Sequence, residues 1–237
     1  MTVDGWTSAV RHQLGLGRLL PLGGPRDGAW ITEAAAEAVL RRAVRDVGGV
    51  RLGALRLGPA DPEGGSESVV PAPPSALAPG PLRVTAECAA TASEPLPTAV
   101  ARLRDALAAA ATERLGLVVS EVDLRVTELL DDEPGTEPER SAAPVPGGPA
   151  LVGDEAFAAA AALSVPGVTG TSGVLGRAVR VEERQDASAA LPRRHARVEI
   201  TVSADRRTVD VARAVRGTVS ETLPDHPTVA VLVTAVD

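Results

Sequence analysis

Two stretches decide the reading: "VARLRDALAAAATERLGLVVSEVDLRVTEL" (residues 100–129) and "VARAVRGTVSETLPDHPTVAVLVTAV" (residues 211–236). Each runs from a helical spacing into a strand. In the first, Ala99, Val100, Leu103, Leu107 and Ala111 recur at the three-to-four-residue interval of a buried helix face, and they match Val211, Ala212, Val215, Val219 and Leu223 in the second. The strand "VDLRVTEL" from Val122 then aligns with "VAVLVTAV" from Val229. Thr98 and Thr208 stand where an N-cap hydroxyl is expected.

Upstream, the two halves keep the same order. Thr32 precedes a helical pattern with Ala36, Val39, Leu40, Ala43, Val44 and Val47 on one face. Its other face is charged, with Glu37 four residues before Arg41, the favourable order for a helical ion pair. "DEAFAAAAALSVPGV" repeats the role in the second half, so that "VGGV" (47–50) and "VPGV" (165–168) both end a helix. Short strands follow at 54–57 and 178–181, and after them clean alternations. Leu82, Val84, Ala86 and Cys88 oppose Arg83, Thr85 and Glu87; Ala196, Val198, Ile200 and Val202 oppose Arg197, Glu199 and Thr201. Both are read as half-buried strands with one solvated face.

The expected fold class is therefore α+β, with two tandem copies of a helix-strand-strand-helix-strand unit. Each copy is expected to hold a three-stranded sheet with two helices packed on one face. The boundaries are a helical extension over 1–28, a first copy over 29–130, a linker over 131–149 and a second copy over 150–237. Within the first copy, the Pro- and Gly-rich residues 58–80 predict a disordered insertion. The linker is too polar and too rich in Pro and Gly to pack. The last strand is apolar on both faces, Val229, Val231 and Val233 against Ala230 and Leu232, and so predicts cover on both sides from the first copy or from another molecule.

The net charge of −7 resides in the insertion and the linker; the remainder of the chain is neutral. All 24 basic residues are Arg, and Lys, Asn and Tyr are absent, a bias that fits the codons a GC-rich, actinobacterial-type genome avoids. Neither a basic footprint nor a set of stacking aromatics is present, so nucleic acid is not an expected partner. The single Cys88 excludes an internal disulfide and sits in an apolar alternation, as a core residue does. No leader-like N-terminus and no apolar run of 18 residues occurs, which predicts a soluble cytoplasmic protein without direct membrane insertion.

A helix closed by "VPGV", the turn "TGTSGVLG", strands like "RAVRVEE" and "RVEITVSA", a helix like "DVARAVRGTVSETL" and the terminal "VAVLVTAVD" resemble the alkaline-shock-protein family of envelope stress proteins. The resemblance covers residues 150–237, with a weaker copy over 29–130. It implies a small, non-enzymatic cytoplasmic α/β unit that self-associates and is held near the membrane by an integral protein partner.

Catalysis needs converging groups, and few converge here. His12, His195 and His226 are scattered, and no metal-ligand spacing occurs, so neither metal nor cofactor is expected. His195, after Arg193 and Arg194, reads as a solvated strand edge, and His226 in "PDHP" as a turn residue. The alternative reading is a tandem module that binds a small ligand, with Thr169 to Gly173 as the one polar candidate. Trp6, Val10 and Leu14 form a short apolar stripe, expected either to dock on the chain's own first copy or to bind a protein partner.

Overall fold

A computed structural model describes residues 17–131, 151–185 and 192–237. The fold is α+β, with four α-helices and two mixed sheets among the described residues. Helix α1 (Glu33–Val44) starts where Thr32 turns from strand into helix. The Thr32 hydroxyl accepts the Ala35 N–H at 3.2 Å, and Glu33 sits in the first turn against Arg41 and Arg42 in the last. The Glu37–Arg41 pair closes at 2.7 Å. Gly49, at φ +74°, turns the chain into β3 (Val50–Pro59).

β3 lies antiparallel to β4 (Leu82–Thr91), and helix α2 (Leu96–Ala109), prolonged by a π-helical segment over Ala110–Leu115, crosses over to β5 (Val119–Leu130), parallel to β4. The helix starts at Leu96, with Pro95 in the cap position and Pro97 in the first turn. Thr98 is therefore inside the helix and is not its cap: proline, which lacks an N–H and fixes φ, sets the start without a hydroxyl. The alternation along β4 holds, with Leu82, Val84, Ala86 and Cys88 all turned into the core.

The second half runs α3 (Asp154–Leu163), β6 (Val168–Thr171), β7 (Val179–Arg184), β8 (Arg193–Val202), α4 (Thr208–Thr222) and β9 (Thr228–Val236). β7 is antiparallel to β8, and α4 carries the chain to β9, parallel to β8. The helix here is preceded by Arg207 in the cap position, and Thr208 is fully buried, with a hydroxyl that meets no hydrogen-bond partner among the described residues.

The expectation of three strands per half fits β3-β4-β5 and fails for the other sheet, which has six strands in the order β1-β2-β9-β8-β6, with β7 also on β8. Of the three extra strands, β6 is the stretch just after α3 and the other two come from the start of the chain. β1 (Leu19–Pro21) pairs antiparallel with β2 (Ala29–Thr32), and β2 lies parallel to β9 in the register Ala29↔Val231, Trp30↔Leu232, Ile31↔Val233. β1 and β2 therefore belong to the sheet of the second half: residues 19–21 are a strand within the expected helical extension (1–28), and residues 29–32 are a strand at the start of the expected first copy.

The second face of this sheet is covered by the chain itself. Trp30, Leu19, Ala230 and Leu232 form a separate apolar cluster with Val70, which is 5% exposed, while Ala76 and Leu175 pack at its border. Residues 58–80, expected as a disordered insertion, supply this cover. Trp30 Nε1 donates to Leu77 O (3.4 Å) and Leu77 N–H donates to Leu19 O (2.9 Å), which ties the segment across the sheet. The physical reason is the strand that is apolar on both faces: Ala230, Leu232 and the Trp30 ring gain burial under this segment, and its prolines lower the entropy lost on ordering it. The turn over residues 172–175 corrects the reading of β8 in the same way. Glu199 on its supposedly solvated face is fully buried, and the Arg197 side chain is only 13% exposed.

Helix α4 is tied both to the turn between β1 and β2 and, through Arg207 and Gly116, to the first half. Arg213 forks onto Asp27 at 2.8 and 3.0 Å, Arg207 donates to Thr112 O at 3.1 Å, and Arg216 donates to Arg26 O. Gly116, at φ +86°, ends the π-helical segment where a Cβ would overlap the Val209 side chain, so the helices meet at a position only glycine fits.

Candidate interaction surface

Six of the ten residues of α3 are alanine, and after Asp154 and Glu155 in the first turn the helix carries no polar side chain. Ala158, Ala159, Ala161 and Ala162 pack inward, where their small side chains let the helix lie close on the sheet and on α4. The outward face carries Phe157 (63% exposed), Ala160 and Leu163 (49% exposed) at intervals of three, and Val152, just before the helix, is 73% exposed. A helix apolar on every side is ordinarily buried. This one is buried on one side only.

Just past the end of the helix lies a groove of about 430 Å³. Val165 and Pro166 form one wall, and Val211 and Ala214 of α4 the other, with Arg206, Arg207 and Asp210 at the rim. Gly167, at φ +103°, is what lets the chain turn here, since a Cβ would meet Arg206 and Val211. The "VPGV" that ends the helix thus also shapes the groove.

The polar candidate at Thr169 to Gly173 is already occupied by the protein's own groups. Thr169 Oγ1 lies 2.8 Å from Thr201 Oγ1 and 3.1 Å from Asp237 Oδ2, and Ser172 Oγ lies 2.7 Å from Thr234 Oγ1, which donates to Ile200 O. The turn that follows is stapled to Glu199. Ser172 N–H donates to Glu199 O, Glu199 N–H donates to Ala178 O, and Leu175 N–H donates to the carboxylate at 3.1 Å. Burial pushes the Glu199 carboxyl up to about 7, against the backbone N–H donors and the Arg197 guanidinium 3.5 Å away. Glu199 Oε1 and Arg197 Nε have no hydrogen-bond partner among the described residues.

His195 is buried rather than at a solvated edge. It stands opposite Glu182 in the β7–β8 ladder, its Nδ1 2.9 Å from Thr228 Oγ1, and burial first, then the Arg184 charge, lowers it to about 4. His226 is the turn residue expected, at φ +43° with Nδ1 3.0 Å from Ser220 O. Cys88 is buried, and desolvation pushes its thiol up, as for a core residue. Trp6, Val10, Leu14 and His12, and nearly all of the linker, lie outside the described residues.

Sequence reasoning missed Phe157, Leu163 and Glu199. The signal for the first two was the poly-alanine helix, which is too apolar for a helix with one wet side. The signal for Glu199 was the two-sided apolarity of its neighbour β9, because cover over one strand extends to the next. Among the described residues no helix is long and apolar enough to cross a membrane, and no three His, Cys, Asp or Glu side chains come together as metal ligands. Compared with protein-family models and with curated proteins, the chain matches none.

Proposed function

We propose that this chain is a non-enzymatic interaction protein that works by self-association and by binding a membrane-protein partner, as its resemblance to alkaline-shock proteins implies. In this reading it is a tandem duplication, with α1-β3-β4-α2-β5 and α3-β7-β8-α4-β9 as the two copies, and it is cytoplasmic, brought to the membrane by its partner. The observation that carries the proposal is the apolar face of α3, where Phe157 and Leu163 lie exposed beside a groove with an apolar floor and an Arg206–Arg207 rim. Such a surface suits an amphipathic segment whose apolar side chains enter the groove and whose carboxylates meet the rim. The neutral folded body has little attraction for anionic lipid, so the partner and not the bilayer supplies the contact.

The test is affinity capture from detergent-solubilised membranes of the native host, using the full chain and a Phe157→Glu/Leu163→Glu variant. The wild type should enrich one integral membrane protein reproducibly, and the variant, whose changes lie on an exposed face, should lose it while keeping its melting temperature. Enrichment that is equal with both chains, or tight binding of the wild type to protein-free anionic liposomes, contradicts the reading.

The second reading, a tandem module for a small ligand, is favoured by one observation: the buried Arg197–Glu199 pair has atoms without hydrogen-bond partners beneath the 172–175 turn. A panel of free amino acids would raise the melting temperature of the wild type and not of Glu199→Gln if that reading held; no shift with any of them sinks it.

A further inference from the structure

Among the described residues the outer edge of β5 is open, whereas the corresponding edge of β9 is filled by β2. β5 is also long for an edge, at 12 residues. Natural edges are usually blunted, and β3, the other edge of the same sheet, shows how. β3 is interrupted by a register shift between Leu52 and Leu55, and Arg41 caps its Leu52 and Gly53 carbonyls. β5 has two register shifts of its own, at Ser120 and Thr127, and is regular over Glu121, Val122, Asp123, Leu124, Arg125 and Val126 between them.

The direction of its free backbone groups follows from the ladder. Leu82 N–H donates to Val118 O, so the main-chain groups of Leu82, Val84, Ala86 and Cys88 face β5. The register Val84↔Val122, Ala86↔Leu124 and Cys88↔Val126 then turns the peptide groups of Glu121, Asp123 and Arg125 toward β4 and those of Val122, Leu124 and Val126 outward. The Val122 carbonyl accordingly accepts from Arg104 Nε at 3.2 Å, and it keeps a second lone pair.

We infer that this edge takes the β5 edge of a second copy, antiparallel about a two-fold axis at Leu124. This rests on the self-association in the reading above and names the surface. Centring on Leu124 places the three outward-facing residues opposite one another, Val122 against Val126 and Leu124 against Leu124, which supplies about six main-chain hydrogen bonds. It also places Asp123 opposite Arg125 on the outer face, twice, once on each side of the axis. Arg125 has no ion pair among the described residues, and Asp123 has only the Arg83 contact at 3.5 Å. On the inner face Val122, Leu124 and Val126 are half-buried, and the partner's equivalents close them from the side. A register centred on Arg125 would instead oppose Arg125 to itself, so the charges select the Leu124 axis. The two three-stranded sheets become one of six, the size the other sheet reaches within a single chain.

Sedimentation of the full chain over a range of concentrations tests this with two charge reversals, Asp123→Arg and Arg125→Asp. Each alone opposes like charges at both outer pairs and should weaken the wild-type dimer at least about tenfold. Mixed in equal amounts, the two variants face an all-basic edge with an all-acidic one and should form a heterodimer near wild-type affinity. Independently, Leu124→Cys should oxidise to a covalent dimer and Glu121→Cys should not, because Cα atoms across the axis lie about 5.5 Å apart.

A wild type that stays monomeric at high micromolar concentration, reversals without effect on the dimer, or a mixture that fails to restore it would each overturn the inference. A dimer that survives both reversals would leave the self-association standing and place it elsewhere. The reading of the α3 face is judged separately, by the membrane-protein capture.

Discussion

β5 and β9 are both reached from a helix in a parallel crossover, and both lie against a strand whose inward side chains are fully buried. Their surroundings then diverge. β9 is covered on both faces and paired on both edges. β5 carries Glu121, Asp123 and Arg125 on its outer face and, among the described residues, has one edge free. The difference comes from β1 and β2, and from the segment between β3 and β4 that carries Val70, Ala76 and Leu77, all of which go to the sheet of β9. Local sequence makes the helix and the strand, and distant chain decides whether the strand ends as a core or as a surface.

The largest break in that comparison should follow Trp30→Ala. It removes the centre of the back-face cluster over β9, and large-to-small changes of buried aromatics cost about 3–5 kcal/mol. Urea unfolding should show this loss, and limited proteolysis should then cut within residues 58–80. Resistance there would mean that the segment is held independently of β9.

Gly116→Ala should cost less, about 1–3 kcal/mol, because it combines a left-handed backbone with overlap at Val209. Its measured effect should also weaken the joint between the halves, seen as a loss of coincidence between fluorescence and circular dichroism melts. A neutral result would show that α4 can shift without penalty.

Two buried titratable groups on β8 sharpen the contrast in pH. The Glu199 carboxyl, raised by burial from 4.5 to about 7, binds more proton folded than unfolded, so its share of stability is present at low pH and is lost as pH rises through that window. His195, lowered from 6.5 to about 4, binds less proton when folded, so its share is present above 6.5 and is lost as pH falls toward 4. The two slopes oppose each other between pH 4.5 and 6.5. Relative to wild type, Glu199→Gln should therefore gain stability with rising pH over that range, by up to about 1.4 kcal/mol per pH unit. Identical pH profiles for the two proteins would show that Glu199 is not buried as a carboxylic acid.

Much of the fold was legible in the sequence because its signals are local. The Thr32 cap, the Glu37–Arg41 pair and the alternation of Leu82, Val84, Ala86 and Cys88 each depend on neighbours within one element. Thr98 misled because two prolines set that helix start instead. The burial of Glu199 and His195 was illegible for another reason: alternation records side-chain polarity, and a polar side chain under a loop from elsewhere looks the same as one in water. The pairing of "AWIT" (29–32) with β9 bridges about 200 residues, and four residues carry too little pattern to announce it. As for the surface, the stripe at Trp6, Val10 and Leu14 drew attention by its spacing, while the exposed Phe157 and Leu163 were hidden in a run read simply as the counterpart of the first copy's opening helix.

The smallest effect should come from Leu124→Ala on the open strand, about 1 kcal/mol in dilute protein, well below the loss at Trp30, because Leu124 is only half-buried. The most direct measurement of the contrast itself is native-state amide exchange in dilute solution. Val231 N–H donates to Gly28 O across the filled edge at 2.9 Å, whereas the amides of Val122, Leu124 and Val126 face outward. The account predicts that the Val231 amide exchanges only with global unfolding and that the three β5 amides exchange many-fold faster. Equal protection at the two edges in dilute protein would contradict it, because it would mean that the edge of β5 is already filled by its own chain.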